Sequence, residues 1–184
     1  MCSFTRQEEA AEGGPVEAIV GERVLLRRAT ERDLPVLLAI LEEPSVARWW
    51  QGSGRAELEE LVPATTGQTT VFVAEEAGEV VGLLYATEEA HPEYRHAGID
   101  VTLRTSAQGR GLGTDAVRTL ARWLIEQRGH HRLTIDPGAD NAAAIACYQK
   151  VGFRPVGVMR QYELRDDGRW YDGLLMELLA DEIT

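Results

Sequence analysis

The sequence predicts one mixed α/β domain, and three observations carry that prediction. Short β-branched and aromatic runs meander through the first half of the chain, helix and strand alternate in the second half, and no repeat or low-complexity stretch breaks the order. The 184 residues are 44% hydrophobic and 27% charged, a composition that lets a chain of this length bury a sizeable core without disulfides.

Residues 1 to about 20 include Glu8, Glu9, Glu12, Gly13, Gly14 and Pro15 and have little to bury. They read as a mobile tail, which leaves 21–184 as the single folded domain. Residues 24–26 make a short strand. Thr30 caps a helix in which Asp33 favours the positive end of the dipole, and Leu34, Leu37, Leu38 and Leu41 form its apolar stripe until it stops near Pro44. A second helix spans 56–62, ended by Pro63. Strands 70–74 and 80–85 flank a turn at Gly78. A long connection, about 86–97, carries Glu88, Glu89 and Glu93, and strand 98–103 leads into a glycine-rich turn. The following helix runs from about 111 to 128 with Val117, Leu120, Ala121 and Leu124 on one face, and Gly129 stops it. Strand 133–135, helix 141–151, a turn at Gly152-Phe153 and strands 158–164 and 170–178 complete the chain. The last two strands meet in a hairpin at Asp166-Asp167-Gly168.

The formal net charge of -11 argues against nucleic acid as a partner, which would favour a basic surface. It suits a cationic substrate drawn to an acidic cleft, and equally a merely soluble surface. No apolar run approaches the roughly 20 residues of a membrane helix, and the polar, acidic start lacks a signal-peptide core. The expected location is therefore the cytoplasm, with no membrane partner. Cys2 and Cys147 are far apart and lack metal-ligand spacing, as do His91, His96, His130 and His131, so free thiols and no metal are expected. The adjacent His130-His131 pair reads as a surface turn.

Chemistry concentrates at Gln108-Gly109-Arg110-Gly111-Leu112-Gly113, continuing into Thr114. Gly111 and Gly113 let backbone approach a ligand, the next helix offers unpaired N–H groups and a partial positive charge, Arg110 adds a cation, and the Gln108 amide can hold the loop. A pyrophosphate suits such a turn, as does a simple reversal of the chain. A Walker loop is absent, and the Rossmann fingerprint fails because no third glycine follows Gly111-x-Gly113.

The pattern Gln108-x-x-Gly111-x-Gly113 after a strand resembles the coenzyme A signature of the GCN5-related N-acetyltransferase (GNAT) superfamily. A second block, Asn141-x-x-Ala144-Ile145-x-x-Tyr148 followed by Gly152-Phe153, resembles that superfamily's later helix and turn. The likeness runs roughly from Glu22 to Leu179. It implies a twisted, mostly antiparallel mixed sheet of six to seven strands, splayed after the fourth, flanked by about four helices. It implies acetyl-coenzyme A as cofactor, its pantetheine bonded like an extra strand to backbone of Val101, Thr102 and Leu103.

Gly98-Ile99-Asp100, Asp136-Pro137, Cys147-Tyr148 and the upstream Trp49-Trp50-Gln51-Gly52 together resemble the aminoglycoside 6'-N-acetyltransferase branch. That likeness implies a small cationic amine as substrate, bound among acids for which Glu88, Glu89, Glu93, Asp100 and Asp136 are candidates, the three glutamates being equally readable as solvated loop residues. It assigns Asp100 to the reactive amine. An unperturbed Asp, with pKa about 3.9 against about 10 for an alkylammonium, is a poor direct base, so orientation with water completing the transfer fits better. Tyr148 would serve the departing thiolate, and one of Trp49 and Trp50 would face the sugar rings. Asp100 bonded at a strand edge, Tyr148 in the core, tryptophans in the core and a turn-forming Asp136-Pro137 are the structural alternatives. Cys147, about 100° round its helix from Tyr148, is expected to pack. Other acceptors stay open: a siderophore hydroxylysine, a protein N-terminus or a polyamine. So do a non-catalytic acyl-coenzyme A sensor and a monomer or homodimer.

Overall fold

A computed structural model describes residues 18–50, 54–63 and 68–184. Eight strands form one sheet: β1 (Ile19–Val20), β2 (Leu25–Arg28), β3 (Thr69–Glu76), β4 (Glu79–Glu89), β5 (His96–Leu103), β6 (Arg132–Ile135), β7 (Arg154–Leu164) and β8 (Trp170–Leu179). Their spatial order is β1-β2-β3-β4-β5-β6-β8-β7. Neighbours are antiparallel except β5 and β6, which run parallel and pair only at Ala97–Leu133 and Gly98–Thr134. Beyond Gly98 no β5–β6 pairs are registered, so the sheet opens after the fourth of the strands expected from sequence.

Five α-helices flank the sheet among the described residues: α1 (Leu34–Leu41), α2 (Pro44–Ala47), α3 (Gly54–Leu61), α4 (Leu112–Glu126) and α5 (Ala142–Gln149). The run Val71-Phe72-Val73-Ala74 is buried at every position because both faces are covered. Phe72 and Ala74 point to the larger core, with α4 residues Val117, Leu120 and Leu124, while Val71 and Val73 meet Leu37, Ile40 and Leu58 of α1 and α3. Asp33 accepts from the Thr30 amide and hydroxyl, both at 2.8 Å, and from the Arg27 fork at 2.7 and 2.8 Å. The Arg27 bond, ahead of the Thr30 bonds, holds the Asp33 carboxyl down to about 2.

Four expectations are corrected. The strand Ile19–Val20 lies within the stretch read as tail, because it pairs with Leu25 and Leu26; residues 1–17, with Cys2, lie outside the described residues, as do Gln51 and Gly52. Pro44 does not stop α1, which ends at Leu41; it opens α2, where its missing N–H costs nothing. Half of the long connection after residue 85 is strand, since β4 continues to Glu89 and pairs with β5 as far as His96. The charged Glu88 and Glu89 hide that strand from a propensity reading, and cross-strand partners decide it. His130 is 2% exposed rather than in a surface turn, its Nε2 lying 2.7 Å from Glu88.

Candidate active site

The glycine turn is built by two left-handed residues, Gly109 (φ +71°) and Gly111 (φ +84°), a region that side chains disfavour. Gln108 Nε2 donates to the Leu103 carbonyl at 2.8 Å and ties the turn to the end of β5. The first bond of α4 runs from Asp115 N–H to Gly111 O at 3.1 Å, so the N–H groups of Leu112, Gly113 and Thr114 have no carbonyl a turn back. Gly111, Gly113 and Thr114 line a groove of about 330 Å³ that continues along Val101, Thr102 and Leu103 to Asn141 and Ala144 of the α5 start. Asn141 caps that helix, accepting from Ala144 N–H at 3.2 Å.

The ladder shows which β5 groups are open. Arg104 N–H donates to Val81 O, which makes Leu83–Thr102 the next hydrogen-bonded pair and turns Val101 and Leu103 toward the gap. Thr102 backbone therefore belongs to the β4 ladder, and the Leu103 carbonyl already accepts from Gln108. The open groups are both polar atoms of Val101 and the Leu103 N–H. Two further expectations shift. Arg110 pairs with Glu76 at 2.8 Å, sharing that carboxylate with Arg23, and does not line the groove. The Leu112 side chain is fully buried in the core, so only its backbone can face a ligand.

A second cavity, of about 340 Å³, adjoins the groove and shares Trp49, Trp50, Val101, Asn141 and Tyr148 with it. Both tryptophans reach it, because α2 is held across the gap: Glu43 accepts from the Thr105 N–H at 2.6 Å and the Thr105 hydroxyl at 2.5 Å. Trp50 packs on Tyr85 with ring centroids 5.2 Å apart. Four carboxylates line this cavity: Asp100, Asp136, Glu57 and Glu163. Water reaches Asp100 from the cavity, yet protein surrounds it on the other sides. That burial, then the charges of Asp136 and Glu57, pushes its carboxyl up to about 7. Burial holds the Tyr148 phenol above its ordinary value, so it stays a proton donor at neutral pH.

Glu88, Glu89 and Glu93 are not in the cavity. The Glu88 carboxylate is spent on Arg128, at 3.1 Å, and on His130. Glu89 accepts from the His91 N–H at 2.8 Å, closing the turn after β4. The acids that replace them were hidden in sequence. Glu57 is one of three glutamates on α3 and only the packing of that helix selects it. Glu163 and Tyr162 reach the cavity through a bulge in β7, where Gln161 sits at φ +51° and its N–H donates to Asp172 at 2.8 Å. The Tyr162 hydroxyl then donates to Asp136, which pushes the phenol up to about 12. Tyr85, read only as strand, faces Asp100 across β4 and β5, and its buried hydroxyl has no partner among the described residues. Cys147 lines the groove, its sulfur 3.3 Å from the Thr114 hydroxyl.

A groove with helix N–H groups at one end and an open strand edge along it can hold a pyrophosphate and an amide-bearing arm. A connected acidic cavity can hold a cation at the arm's far end. Residues 23–154 match the acetyltransferase (GNAT) domain family. The chain belongs to that family. It is an N-acetyltransferase that uses acetyl-coenzyme A. It is 32% identical over 157 residues to aminoglycoside N(6')-acetyltransferase type 1 of Klebsiella pneumoniae, covering 75% of this chain and 77% of that protein. Among solved structures it resembles AAC(6')-Ib in complex with paromomycin and acetyl-CoA, at TM-score 0.71 and 27% identity over 88% of this chain and 96% of that one. It also resembles RimJ of Mycobacterium smegmatis in complex with CoA-disulfide, at TM-score 0.79 and 25% identity over 91% and 89%. No described helix is long and apolar enough to cross a membrane.

Proposed function

We propose that this GNAT enzyme acetylates the 6'-amine of an aminoglycoside antibiotic, a resistance activity, within a single domain of residues 19–184 in the cytoplasm. The observation that carries the reading is the cavity lined by four carboxylates and opening onto the donor groove at Val101 and Tyr148. A polyamine sugar brings several ammonium groups, and each acid left without a protein partner favours one of them. In this reading the GNAT cofactor supplies an acetyl thioester that the amine attacks directly. The orphan N–H groups at the start of α4 hold its pyrophosphate, and Val101 and Leu103 bond its amide arm.

Asp100 orients the ammonium and takes its proton, directly or through water. Its raised pKa narrows the gap to an alkylamine that the unperturbed value leaves. Asp136, held by Tyr162, adds attraction and keeps Asp100 basic. Tyr148 donates a proton to the leaving thiolate, and the second proton, which the acylated nitrogen sheds as the amide forms, returns to the Tyr148 oxygen directly or through water. No covalent acyl-enzyme is formed, and Cys147 has no chemical part.

Thiol release from acetyl-coenzyme A, measured with a panel of amines, tests the acceptor. Kanamycin and tobramycin should turn over, while spermidine, hydroxylysine derivatives and N-terminal peptides should not. Turnover of only the latter group moves the enzyme to another acceptor, and cofactor binding without any turnover makes it a sensor. The groove has its own test. In a Cys2→Ser variant, saturating acetyl-coenzyme A should slow maleimide labelling of Cys147 at least fivefold; unchanged labelling contradicts the groove as the donor site.

A further inference from the structure

Arg165 begins the turn between β7 and β8, with Gly168 N–H bonding its carbonyl at 2.8 Å, a place where an arginine is ordinarily solvated. Only 10% of its side chain is exposed. Nη1 and Nη2 each donate to Asp140 at 3.0 Å, and Nε donates to Glu163 at 3.1 Å. The guanidinium lies 4.0 Å from the Tyr171 ring centroid and 5.0 Å from that of Trp49. Behind it, a Cβ on Gly138 would come within 2.7 Å of Nη2, so that glycine makes room for it.

These contacts join three stretches far apart in sequence: Trp49 after α2, the Gly138–Asn141 segment before α5, and Glu163 in the β7 bulge. Each stretch contributes to the wall of the acidic cavity, and Arg165 itself does not line it. We propose that Arg165 is the positioning residue of the acceptor cavity, fixing Trp49, Glu163 and the segment before α5 in one arrangement before the amine arrives. The inference rests on the cavity being the acceptor site. A guanidinium can do this because its fork is planar and several donors act at once, whereas a lysine offers a point charge on a flexible stem. Holding the walls in place removes an ordering cost from acceptor binding, while the glycine turn, the start of α4 and the β5 edge that line the donor groove lie outside the contacts of Arg165. Arg165 also offsets the charge of Glu163 and Asp140, whereas Asp100, Asp136 and Glu57 make no ion pair with Arg165.

The test is steady-state kinetics of Arg165→Lys and Arg165→Ala, with thermal melts alongside. Wild-type turnover of kanamycin judges the acceptor reading by itself; if kanamycin is inert, the comparison uses the best amine of the panel. Both variants should raise the acceptor KM at least tenfold, with the acetyl-coenzyme A KM within twofold of wild type. A wild-type acceptor KM in Arg165→Lys shows that charge alone mattered and overturns the positioning role. Parallel rises in both KM values with a lowered Tm overturn it too, since they mark general loosening. Arg165→Lys keeps the question answerable if Arg165→Ala does not fold.

Discussion

Asp100→Asn should cut kcat by about 10²–10⁴-fold, the range that a positioned proton acceptor supplies. Acetyl-coenzyme A binding should stay within twofold of wild type, because Asp100 lines the acidic cavity and not the groove. The acid limb of the wild-type kcat/KM profile for the acceptor should bend near pH 7, where the Asp100 carboxyl titrates, and the variant should lack that bend. A kcat within threefold of wild type would remove Asp100 from the chemistry. The same substitution has a stability signature of defined sign. The folded pKa lies above the ordinary 3.8, so the folded state holds the extra proton between about pH 4 and 7. Stability is therefore lost as pH rises through that window, and the loss is complete above it. Asn carries no charge to desolvate. The variant should melt higher than wild type at pH 8, and the difference should vanish near pH 4. An equal difference at both values contradicts the raised pKa.

Gly111→Val should raise the acetyl-coenzyme A KM tenfold or more and leave the acceptor KM little changed. Gly111 holds φ +84°, where a non-glycine residue costs roughly 1–2 kcal/mol, so valine drives the turn out of shape. About 1.4 kcal/mol of lost binding is a factor of ten. Gly113→Ala separates the fold's need from the ligand's. A Cβ there meets Leu103 Cδ1 at 3.5 Å and Cys147 Sγ at 3.6 Å, ordinary contacts that the protein accommodates. Its melting temperature should match wild type while its acetyl-coenzyme A KM rises several-fold, since the added methyl occupies groove space. Unchanged affinity in both variants would contradict the turn as the pyrophosphate site.

The glycine turn and the start of α5 were legible because their requirements are local. Left-handed backbone at Gly111 and the bond from Ala144 N–H to the Asn141 amide oxygen each depend on only a few neighbouring residues of the chain. Asp100 was legible for a related reason: a carboxylate in an apolar strand advertises an unusual environment. Arg110 was misplaced because a cation beside a phosphate turn is ambiguous until Glu76, 34 residues earlier, is seen to hold it. Glu88 was misplaced because its partners Arg128 and His130 arrive from the far side of α4.

The proposed donor half is thus written in the sequence itself, since a strand, a glycine turn and a helix N-terminus are contiguous and their geometry follows from backbone preferences. The proposed acceptor half was decided by tertiary structure. Glu57, Trp49, Asp136 and the Tyr162-Glu163 pair come from four separate stretches of chain; the β7 bulge carries that pair to the common space, and Arg165 contacts Trp49 and Glu163. Such convergence depends on long-range packing, which leaves no periodic trace along the chain. The pKa of Asp100 belongs to the same class, because burial and the charges of Asp136 and Glu57 exist only once the sheet has opened and its walls have closed around it.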